Sequence, residues 1–353
     1  MNREEIQKHL NELSDSEISY REHPEKILNE FYLALDQMGL KDENGVYLFP
    51  ESLIRNQSQY THGAHHGFWD TLEKSEHQND FVLKKATRFY REPFMKADFI
   101  VIRYVYAGEC IIYTPNKKIV LHENDAIMID AGFIISQELK HEEDTIFSFL
   151  FTKEFILNLL KQGLPISNEI TRFFFDYVNQ NSQQNCQIYH GGNNRLIKDA
   201  IEGMICEYLD PVKEGGKALL ESYLNIFLIQ LSTCEAKIEN EYKEDISRIA
   251  GMLNYINLNY IDVDLATLAD LYGYNPKYIS RLFKKITGVN LKDYIYKKKL
   301  DSFCSYLLNS DMPIQEILAD LNISSEAFFF NRFKEVYGIS PAQYRKQKMI
   351  TGS

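Results

Sequence analysis

Between residues 264 and 288 the apolar positions follow a helical spacing, and they are interrupted where helices start and stop. Asp264 can cap a short helix that ends at Gly273, and Asn275 followed by Pro276 can start a second helix. The apolar stripe of the second helix contains Ile279, Leu282, Phe283 and Ile286. Its other face contains Lys277, Ser280, Arg281, Lys284 and Lys285. A basic helix after a tight turn predicts a helix-turn-helix motif that enters the major groove of DNA.

The same order of elements recurs about fifty residues later, from Ile314 to Lys334, and again ends at a glycine, Gly338. Between the two copies, residues 291–308 contain no Gly or Pro and predict one helix of about 27 Å. DNA repeats its major groove roughly every 34 Å. The long helix would therefore let the two motifs meet successive major grooves on one face of the DNA.

Residues 99–152 show a different pattern, in which short β-branched and aromatic runs are separated by turn sequences. The predicted strands are Phe99–Tyr106, Cys110–Tyr113, Lys118–Leu121, Ala126–Ile129 and Thr145–Phe151. Strands so short and closely spaced favour a small barrel or sandwich. The aromatic residues that could line a pocket in such a fold are Phe94, Phe99, Tyr104, Tyr106, Phe147 and Phe149. The pattern does not separate inward from outward faces, and ordinary core packing is the simpler account of most of these rings.

Helical spacing also predicts helices at residues 3–13, 24–38, 153–162, 166–180, 194–209 and 217–240. The last of these has a seam at alternating steps of four and three, formed by Leu220, Leu224, Phe227, Leu231 and Cys234. This seam fits a short coiled coil at a dimer interface, and it fits a face that packs on the barrel equally well. The acidic and polar stretch from Glu235 to Asp245 is the expected linker.

Charge is divided unevenly along the chain, whose net charge is -11. Residues 245–348 contain fourteen Lys and Arg against eleven Asp and Glu, a net of +3, so the remainder has a net of -14. The overall acidity therefore does not exclude DNA binding. A net of +3 is nevertheless modest for a DNA-binding domain, so we expect weak nonspecific affinity and a greater dependence on a dimer.

The C-terminal part of the chain, about a hundred residues, resembles the paired helix-turn-helix domain of the AraC/XylS family of bacterial transcription regulators. The matching residues are Leu265-Ala266, Ile279 to Lys285, Gly288, Lys299-Leu300, Pro313-Ile314, Glu316-Ile317, Phe329, Phe333-Lys334, Gly338, Ser340-Pro341 and Tyr344-Arg345. The resemblance implies a cupin-like effector domain where the strands lie and a dimerising helix after it. It also implies double-stranded DNA as a partner, and RNA polymerase if the protein activates transcription.

By position, the resemblance implies a set of DNA-contacting residues. In the first motif they are Lys277, Ser280, Arg281 and Lys284, and in the second Glu326, Ala327, Phe330, Asn331 and Lys334. The family usually has Arg at the positions of Lys299 and Asn331, and Gly-Phe at Asn322-Ile323. The second helix thus offers few hydrogen-bond donors to bases, so we expect the first motif to read sequence and the second mainly to position. Phe330 either contacts a thymine methyl or packs in the core.

A cupin-type enzyme is the competing class, because such enzymes hold a divalent metal through His and Glu side chains of the barrel. The corresponding places are occupied here by Met95, Ala97, Val101 and roughly Ile134, which cannot ligate a hard metal. We therefore expect no enzyme activity, no metal and no cofactor, and an organic effector as the occupant of the barrel. The histidines His62, His65 and His66 lack a Cys or carboxylate at ligand spacing, which favours a polar loop over a metal site.

The five cysteines form no CxxC pair, which is typical of free thiols in a reducing cytoplasm. Neither a signal peptide nor a run of eighteen apolar residues is found, so we expect a cytoplasmic protein with no membrane segment.

Together the patterns predict an α+β chain. We expect an N-terminal helical and loop segment at 1–90, a cupin-like β-barrel with flanking helices at 91–152, and a helical dimerisation segment at 153–240. They are followed by a linker at 241–247. The last part, 248–348, is expected to be an all-α domain of two helix-turn-helix motifs joined by a long helix. The expected function is that of a homodimeric transcription regulator whose DNA binding is gated by a small-molecule or peptide effector. A regulator whose sensor docks a protein partner is the alternative, and a cupin-type enzyme is a distant third.

Overall fold

The computed structural model describes residues 3–22, 36, 39–52, 81–162, 168–180, 185–209, 215–240 and 244–351. They belong to two compact units, Met1–Ala250 and Gly251–Ser353. The described helices are α1 (Arg3–Asn11), α2 (Asp15–Glu22), α3 (Lys153–Gln162), α4 (Asn168–Val178), α5 (Arg195–Leu209), α6 (Gly216–Leu231), α7 (Glu244–Asn259), α8 (Leu265–Tyr272), α9 (Pro276–Thr287), α10 (Leu291–Asn309), α11 (Ile314–Asp320), α12 (Glu326–Tyr337) and α13 (Pro341–Thr351). The described strands are β1 (Tyr47–Phe49), β2 (Phe81–Lys85), β3 (Tyr90–Arg91), β4 (Met95–Ala97), β5 (Ile100–Ala107), β6 (Glu109–Tyr113), β7 (Lys118–His122), β8 (Asp125–Ile129), β9 (Ser136–Leu139), β10 (Thr145–Phe151), β11 (Asn185–His190) and β12 (Glu235–Asn240).

The described strands of the first unit lie in three sheets. A six-stranded antiparallel sheet has the order β12-β11-β8-β5-β10-β2, and a four-stranded antiparallel sheet has the order β3-β9-β6-β7. The third sheet is the parallel pair β1-β4. Within the described residues the edge strands β2 and β12 form no ladder with the four-stranded sheet. The expected α+β class is confirmed, but a closed barrel is not shown.

The strands predicted between residues 99 and 152 are confirmed, each within one residue of its expected bounds. The pattern missed β9, because its sequence Ser-Gln-Glu-Leu lacks β-branched and aromatic residues. It also placed the start of the sheet region too late. β2 lies within the segment expected to be helix and loop, yet it pairs with β10 at one edge of the six-stranded sheet.

Strands β11 and β12 correct the expected helical segment and linker. β11 pairs with β8 on one side and with β12 on the other, so β12 is the last strand of the six-stranded sheet. The helix expected at 217–240 ends at Leu231, well before its predicted end. The described side chains of β12 are exposed, at Glu235, Ala236 and Lys237. Edge strands often carry charged side chains, which discourage pairing with other chains. Such a strand is polar along its length, so its sequence resembles that of a linker.

The central strands β5 and β10 are buried on both faces, and one face is covered by helices. Phe149 of β10 stacks on Phe227 of α6 with ring centroids 4.7 Å apart. Tyr104 of β5 meets the same Phe227 ring edge-on at 6.0 Å. Next along β10, Phe151 contacts Phe174 of α4 edge-on at 6.2 Å. These aromatic contacts fix α4 and α6 against one face of the six-stranded sheet.

The seam of α6 lies inside the first unit and is not a free dimer surface. Leu220, Leu224, Phe227 and Leu231 are at most 4% exposed. Packing on the sheet removes these side chains from water as a dimer would, which is why the sequence left both possibilities open. The structure therefore corrects the expected dimer interface at these residues. α5 packs closely beside α6 at Gly203. A side chain there would not fit, since a Cβ added at Gly203 would lie 2.4 Å from the Tyr223 ring.

The N-terminal helices are attached to the first unit by a buried ion pair. Arg88 is 0% exposed, and its Nε donates to Oε1 of Glu17 in α2 at 2.8 Å. Its two other guanidinium nitrogens donate to the carbonyls of Glu12 and Glu142 at 2.8 and 2.7 Å. Burial raises the pKa of Glu17, but the bonds from Arg88 and the charge of Lys85 outweigh it, and the pKa lies below its usual value. The helix expected at 3–13 is found as α1, whereas that expected at 24–38 lies outside the described residues, apart from residue 36.

The second unit is helical, and α10 lies at the centre of its core. Phe303 of α10 contacts Phe329 and Phe333 of α12 edge-on, with centroids 5.0 and 5.7 Å apart. All three rings are buried. Throughout the described part of the chain, every helix is either too short or too polar to cross a membrane.

Because Leu224 lies in the protein's own core, we expect Leu224→Ala to lower the free energy of unfolding by about 3 kcal/mol. Urea unfolding of the full chain, followed by circular dichroism, measures this change. Ile226→Ala on the same helix is the control, since Ile226 is 43% exposed and its loss should cost less than about 1 kcal/mol. If Leu224→Ala left the unfolding midpoint unchanged but abolished a dimer in light scattering, the seam would instead be a subunit interface.

Candidate nucleic-acid interface and sensor cavity

The first helix-turn-helix motif is formed by α8 and α9, and its ends are capped as the sequence predicts. The Asp264 carboxylate accepts from the Thr267 backbone N–H at 2.8 Å, and the Asn275 side chain accepts from the Lys277 N–H at 2.9 Å. Gly273 ends α8 with φ +68°, a left-handed conformation that favours glycine. The caps fix where each helix begins, and thereby set which side chains of α9 face outward.

The outward face of α9 presents cations. Lys277, Arg281 and Lys284 are exposed, Ser280 is half-buried, and the apolar stripe behind them is buried. This arrangement agrees with the placement of these four residues at a DNA surface. Arg281 is of most use for reading sequence, because its planar guanidinium can donate two parallel hydrogen bonds to a guanine.

The second motif, formed by α11 and α12, presents a different surface. Glu326, Ala327, Asn331 and Lys334 are exposed, as a DNA-facing role requires. Phe330 is half-buried and packs against the core of the second unit, which favours the packing interpretation over contact with a thymine methyl.

Phe328 is the aromatic residue that α12 exposes instead, at 57%, and the sequence reasoning missed it. Its ring lies 5.8 Å from the guanidinium of Arg332, which also lies 4.7 Å from the Tyr296 ring and pairs with Asp293 at 3.2 Å. The spacing of Phe328 and Arg332, one helical turn apart, is the signal that could have shown them to share a face.

A cluster of hydrogen bonds, here called the Lys299 clamp, joins the segments next to the two motifs. Lys299 of α10 donates to the carbonyls of Ile261 and Asn322 at 2.8 and 3.1 Å. The Asn322 side chain in turn donates to Asp262 at 3.0 Å. Ile261 and Asp262 precede α8, whereas Asn322 lies between α11 and α12 and has φ +49°. The clamp therefore ties the segment that precedes the first motif to the turn of the second motif.

The electrostatics of the clamp follow from its surroundings. Burial lowers the pKa of Lys299, and the nearby Asp262 carboxylate partly opposes this effect. The ammonium group is satisfied by carbonyl oxygens and by a nearby negative charge. In the sequence, Lys299 falls within the family match and, like Asn322, departs from the residue usual at its position, but neither is predicted to bond to the other. Their contact joins residues 23 positions apart, and spacing gives no sign of it.

The first unit contains a cavity on the face of the six-stranded sheet opposite to α6. It has about 770 Å³ of space not filled by atoms, part of it open to solvent. Phe99, Phe133 and Leu150 are among its apolar walls, and Lys84, Glu92, Arg103 and Ser148 are among its polar ones. A cleft with mostly apolar walls and a few convergent polar groups is the usual chemistry of a site for a small organic ligand.

Of the aromatic residues expected to line a pocket, Phe99 does so. Tyr104 and Phe149 lie on the other face of the same strands, against Phe227. Tyr106 and Phe147 contact each other edge-on at 5.7 Å and are buried, as is Phe94, whose ring lies 5.9 Å from the Arg91 guanidinium. Among the described residues, these five are not part of the cavity wall. For the four residues on β5 and β10, the physical reason is that alternate residues of a strand point to opposite faces.

The four positions considered as metal-ligand positions lie at or beside the cavity. Met95, Ala97 and Val101 all line the cavity, while Ile134 is buried and its neighbour Ile135 lines it. Their side chains offer no hard ligand. Within the described ranges no group of three or more His, Cys, Asp or Glu could hold a metal ion. The histidines 62, 65 and 66 lie outside the described residues.

Comparisons with known proteins agree with this organisation. The family model described as a helix-turn-helix domain matches residues 268–347, and the ExsA N-terminal regulatory domain matches residues 100–234. The Transposon Tn10 TetD protein of Escherichia coli is 35% identical over 130 residues, which cover 31% of this chain and 94% of TetD. The chain belongs to the AraC family of transcription regulators.

Two further relatives each match about a third of this chain. AdaA of Bacillus subtilis, a bifunctional transcriptional activator and DNA repair enzyme, is 30% identical over 32% of this chain and 54% of its own length. YtdP of the same organism, an uncharacterised HTH-type transcriptional regulator, is 28% identical over 32% of this chain and 14% of its own length. The chain thus spans about half of one relative and about a seventh of the other.

For the first motif we predict that Arg281→Ala lowers affinity for a specific DNA site at least about tenfold, since a bidentate contact to a base is worth about 1–3 kcal/mol. The site is obtained by in vitro selection with the full chain, and affinity is measured by fluorescence anisotropy. Nonspecific duplex should lose less than about threefold, as expected for one charge. Arg281→Lys, which keeps the charge, should behave like alanine, and Lys285→Gln controls for charge on the same helix. Equal losses on both DNAs would remove Arg281 from base reading.

For the clamp we predict that Lys299→Met weakens binding to the full selected site at least about tenfold, an energy of about 1.4 kcal/mol. Binding to a duplex that keeps only the first motif's half-site should change less than about twofold, because the first motif itself is intact. Lys299→Arg should restore binding, and Lys297→Met, at an exposed position of α10, is the matched control. Equal weakening on both duplexes would show that Lys299 acts within one motif.

Proposed function

We propose that this protein regulates transcription by binding double-stranded DNA through its second unit, and that a ligand in the cavity of the first unit controls this binding. The observation that carries the proposal is the cavity, which combines an apolar wall with buried polar groups in a unit separate from the DNA-binding helices. The match of residues 100–234 to a regulatory domain supports the same division of roles.

The proposed mechanism is a shift of population. A ligand that binds one conformation of the chain more tightly increases its share, and DNA affinity changes only if that conformation binds DNA differently. In this mechanism α9 reads bases, and α12 mainly positions the protein on the DNA. A homodimer and a contact with RNA polymerase belong to the same proposal. The dimer then uses a surface other than the buried stripe of α6.

A second candidate function is a regulator whose first unit docks another protein. It is favoured by apolar side chains that the first unit exposes, Phe175 at 58%, Leu196 at 54% and Ile226 at 43%. Large exposed apolar side chains are enriched at protein interfaces when they form a continuous patch. The cavity favours the small-ligand function, because a protein partner would not need a cavity inside the unit.

A cavity-filling variant tests the ligand-gated function. A compound library is screened with the full chain for a rise in thermal midpoint, since a ligand that binds only the folded state stabilises it. We expect a hit to change affinity for the selected DNA site at least about fivefold. Ala97→Phe, at the cavity wall, should abolish both effects and leave ligand-free DNA binding within about twofold, whereas Ala218→Phe, at an exposed position of α6, should preserve them.

Two outcomes would contradict the proposal. A ligand that binds in the cavity without changing DNA affinity would exclude gating. A ligand effect that survives Ala97→Phe would place the controlling site elsewhere.

A further inference from the structure

The second helix of each motif has an aromatic residue at its third position. α9 and α12 are each 12 residues long and each ends at a glycine, and their third residues are Tyr278 and Phe328. When such a helix lies in the major groove, the residues near its N-terminus are those that contact base edges. Tyr278 is half-buried, whereas Phe328 is 57% exposed. Phe328 is therefore the ring that the second motif presents at its surface.

Phe328 shares its side of α12 with a residue that the family resemblance places at the DNA surface. Asn331 follows Phe328 by three residues and is exposed, and residues three or four apart are neighbours on a helix surface. The core stripe of α12 contains Phe329 and Phe333, which are at most 2% exposed. Ala327, directly before Phe328, is exposed as well. The first turn of α12 thus presents two apolar side chains beside one amide.

The exposed Phe328 ring is supported by its neighbours. It meets the ring of Tyr296 in α10 edge-on, with centroids 6.3 Å apart, and the Arg332 guanidinium lies 5.8 Å from its centroid. Arg332 lies one turn further along α12, and the Asp293 carboxylate pairs with it at 3.2 Å. A ring that is already oriented loses less conformational freedom when a partner covers it. Tyr296, Arg332 and Asp293 therefore prepare Phe328 for a contact.

The charged groups of α12 are compatible with DNA as the partner. Lys334 is exposed, and the side chain of Arg332 is 38% exposed, so the helix presents positive charge to phosphates. The carboxylate of Glu326, the first residue of α12, accepts a hydrogen bond from the Gln315 side chain of α11 at 3.1 Å. The negative charge next to Phe328 is thereby engaged by a neighbouring helix.

Thymine is the base whose chemistry matches an exposed phenyl ring. Its 5-methyl group projects into the major groove, where apolar side chains such as Phe and Ala are the usual contact. The other three bases present hydrogen-bond donors and acceptors there, which a phenyl ring cannot pair with. Asn331, beside Phe328, can make the two hydrogen bonds that adenine requires. The second motif therefore has side chains suited to A·T base pairs, although it has few donors.

We propose that Phe328 is a specificity-determining residue of the second motif, which reads a thymine in the major groove through its 5-methyl group, and that Tyr296 and Arg332 position its ring. The inference rests on the proposed function only in that the second unit binds DNA, and it does not require a ligand in the first unit. It adds base reading by apolar contact to the positioning role of α12. The thymine contact thereby belongs to Phe328 and not to Phe330, which packs against the core of the second unit.

Replacement of thymine by deoxyuridine tests the contact, because it removes the methyl group and leaves the base-pairing edge unchanged. A duplex site is selected in vitro with the full chain, each of its thymines is replaced in turn, and affinity is measured by fluorescence anisotropy. We expect replacement at one or two thymines to weaken binding at least about threefold, near the value of one buried CH₂ group. Phe328→Ala should bind the thymine and deoxyuridine duplexes with equal affinity at those positions.

Further variants separate the methyl contact from general effects on the helix. Phe328→Leu keeps an apolar side chain and should still discriminate thymine from deoxyuridine. Val336→Ala is the matched control, because Val336 is 61% exposed on α12 but lies outside its first turn, and it should discriminate as the unchanged protein does. Arg332→Gln should discriminate less, whereas the loss of its charge alone would weaken both duplexes alike. The thermal midpoint checks that each variant is folded.

Three results would overturn the inference. A selected site in which no thymine is discriminated from deoxyuridine excludes methyl reading, and discrimination that persists in Phe328→Ala assigns the reading to another residue. Unchanged discrimination in Arg332→Gln removes the positioning role of Arg332.

The outcome for gating is distinguishable from the outcome for Phe328. A cavity ligand that leaves DNA affinity constant removes gating but does not affect thymine reading. A ligand that shifts the DNA affinity of a chain insensitive to the methyl group supports gating and removes thymine reading.

Discussion

The alternation of side chains along β5 and β10 is the constraint on which the first unit depends. Both strands are buried on both faces, so each residue must fit one of two different environments. Aromatic residues on one face, such as Tyr104 and Phe149, receive Phe227 of α6. Arg103 and Ser148, their sequence neighbours, point to the cavity. A shift of register by one residue would exchange the two sets, placing charge under α6 and aromatic rings in the cavity.

The local features of the fold could be predicted from sequence because they depend on neighbouring residues. Asp264, Asn275 and the glycines at 273, 288 and 338 act on backbone groups within a few positions, and the structure confirms the helix ends that they imply. The strands between 99 and 152 could also be predicted, since β-branched and aromatic residues are enriched in strands and the turn sequences between the runs mark their ends. Only the polar β9 departed from that composition within the segment.

The features that could not be predicted depend on contacts between distant residues. Strand sequences show which residues alternate, but not which face packs on a helix and which faces the cavity, and five of the six aromatic pocket candidates lie away from the cavity wall. The α6 stripe has the same composition whether it covers a sheet or a second helix. The Lys299 clamp links residues 38 and 23 positions apart, and its carbonyl acceptors carry no side-chain signature at all. Phe328 is a different case, because its one-turn spacing from Arg332 is a local signal of their shared face.

Arg88 and Glu17 lie 71 positions apart and share a site that excludes water. Removing either partner alone would leave the other charge buried and uncompensated, a change that typically costs about 3–5 kcal/mol, whereas exchanging both for apolar residues of similar volume is often neutral. The two positions are therefore free to change only as a pair. In the descent of this protein they should behave as one inherited character, and a homologue that lacks α2 should also lack the arginine.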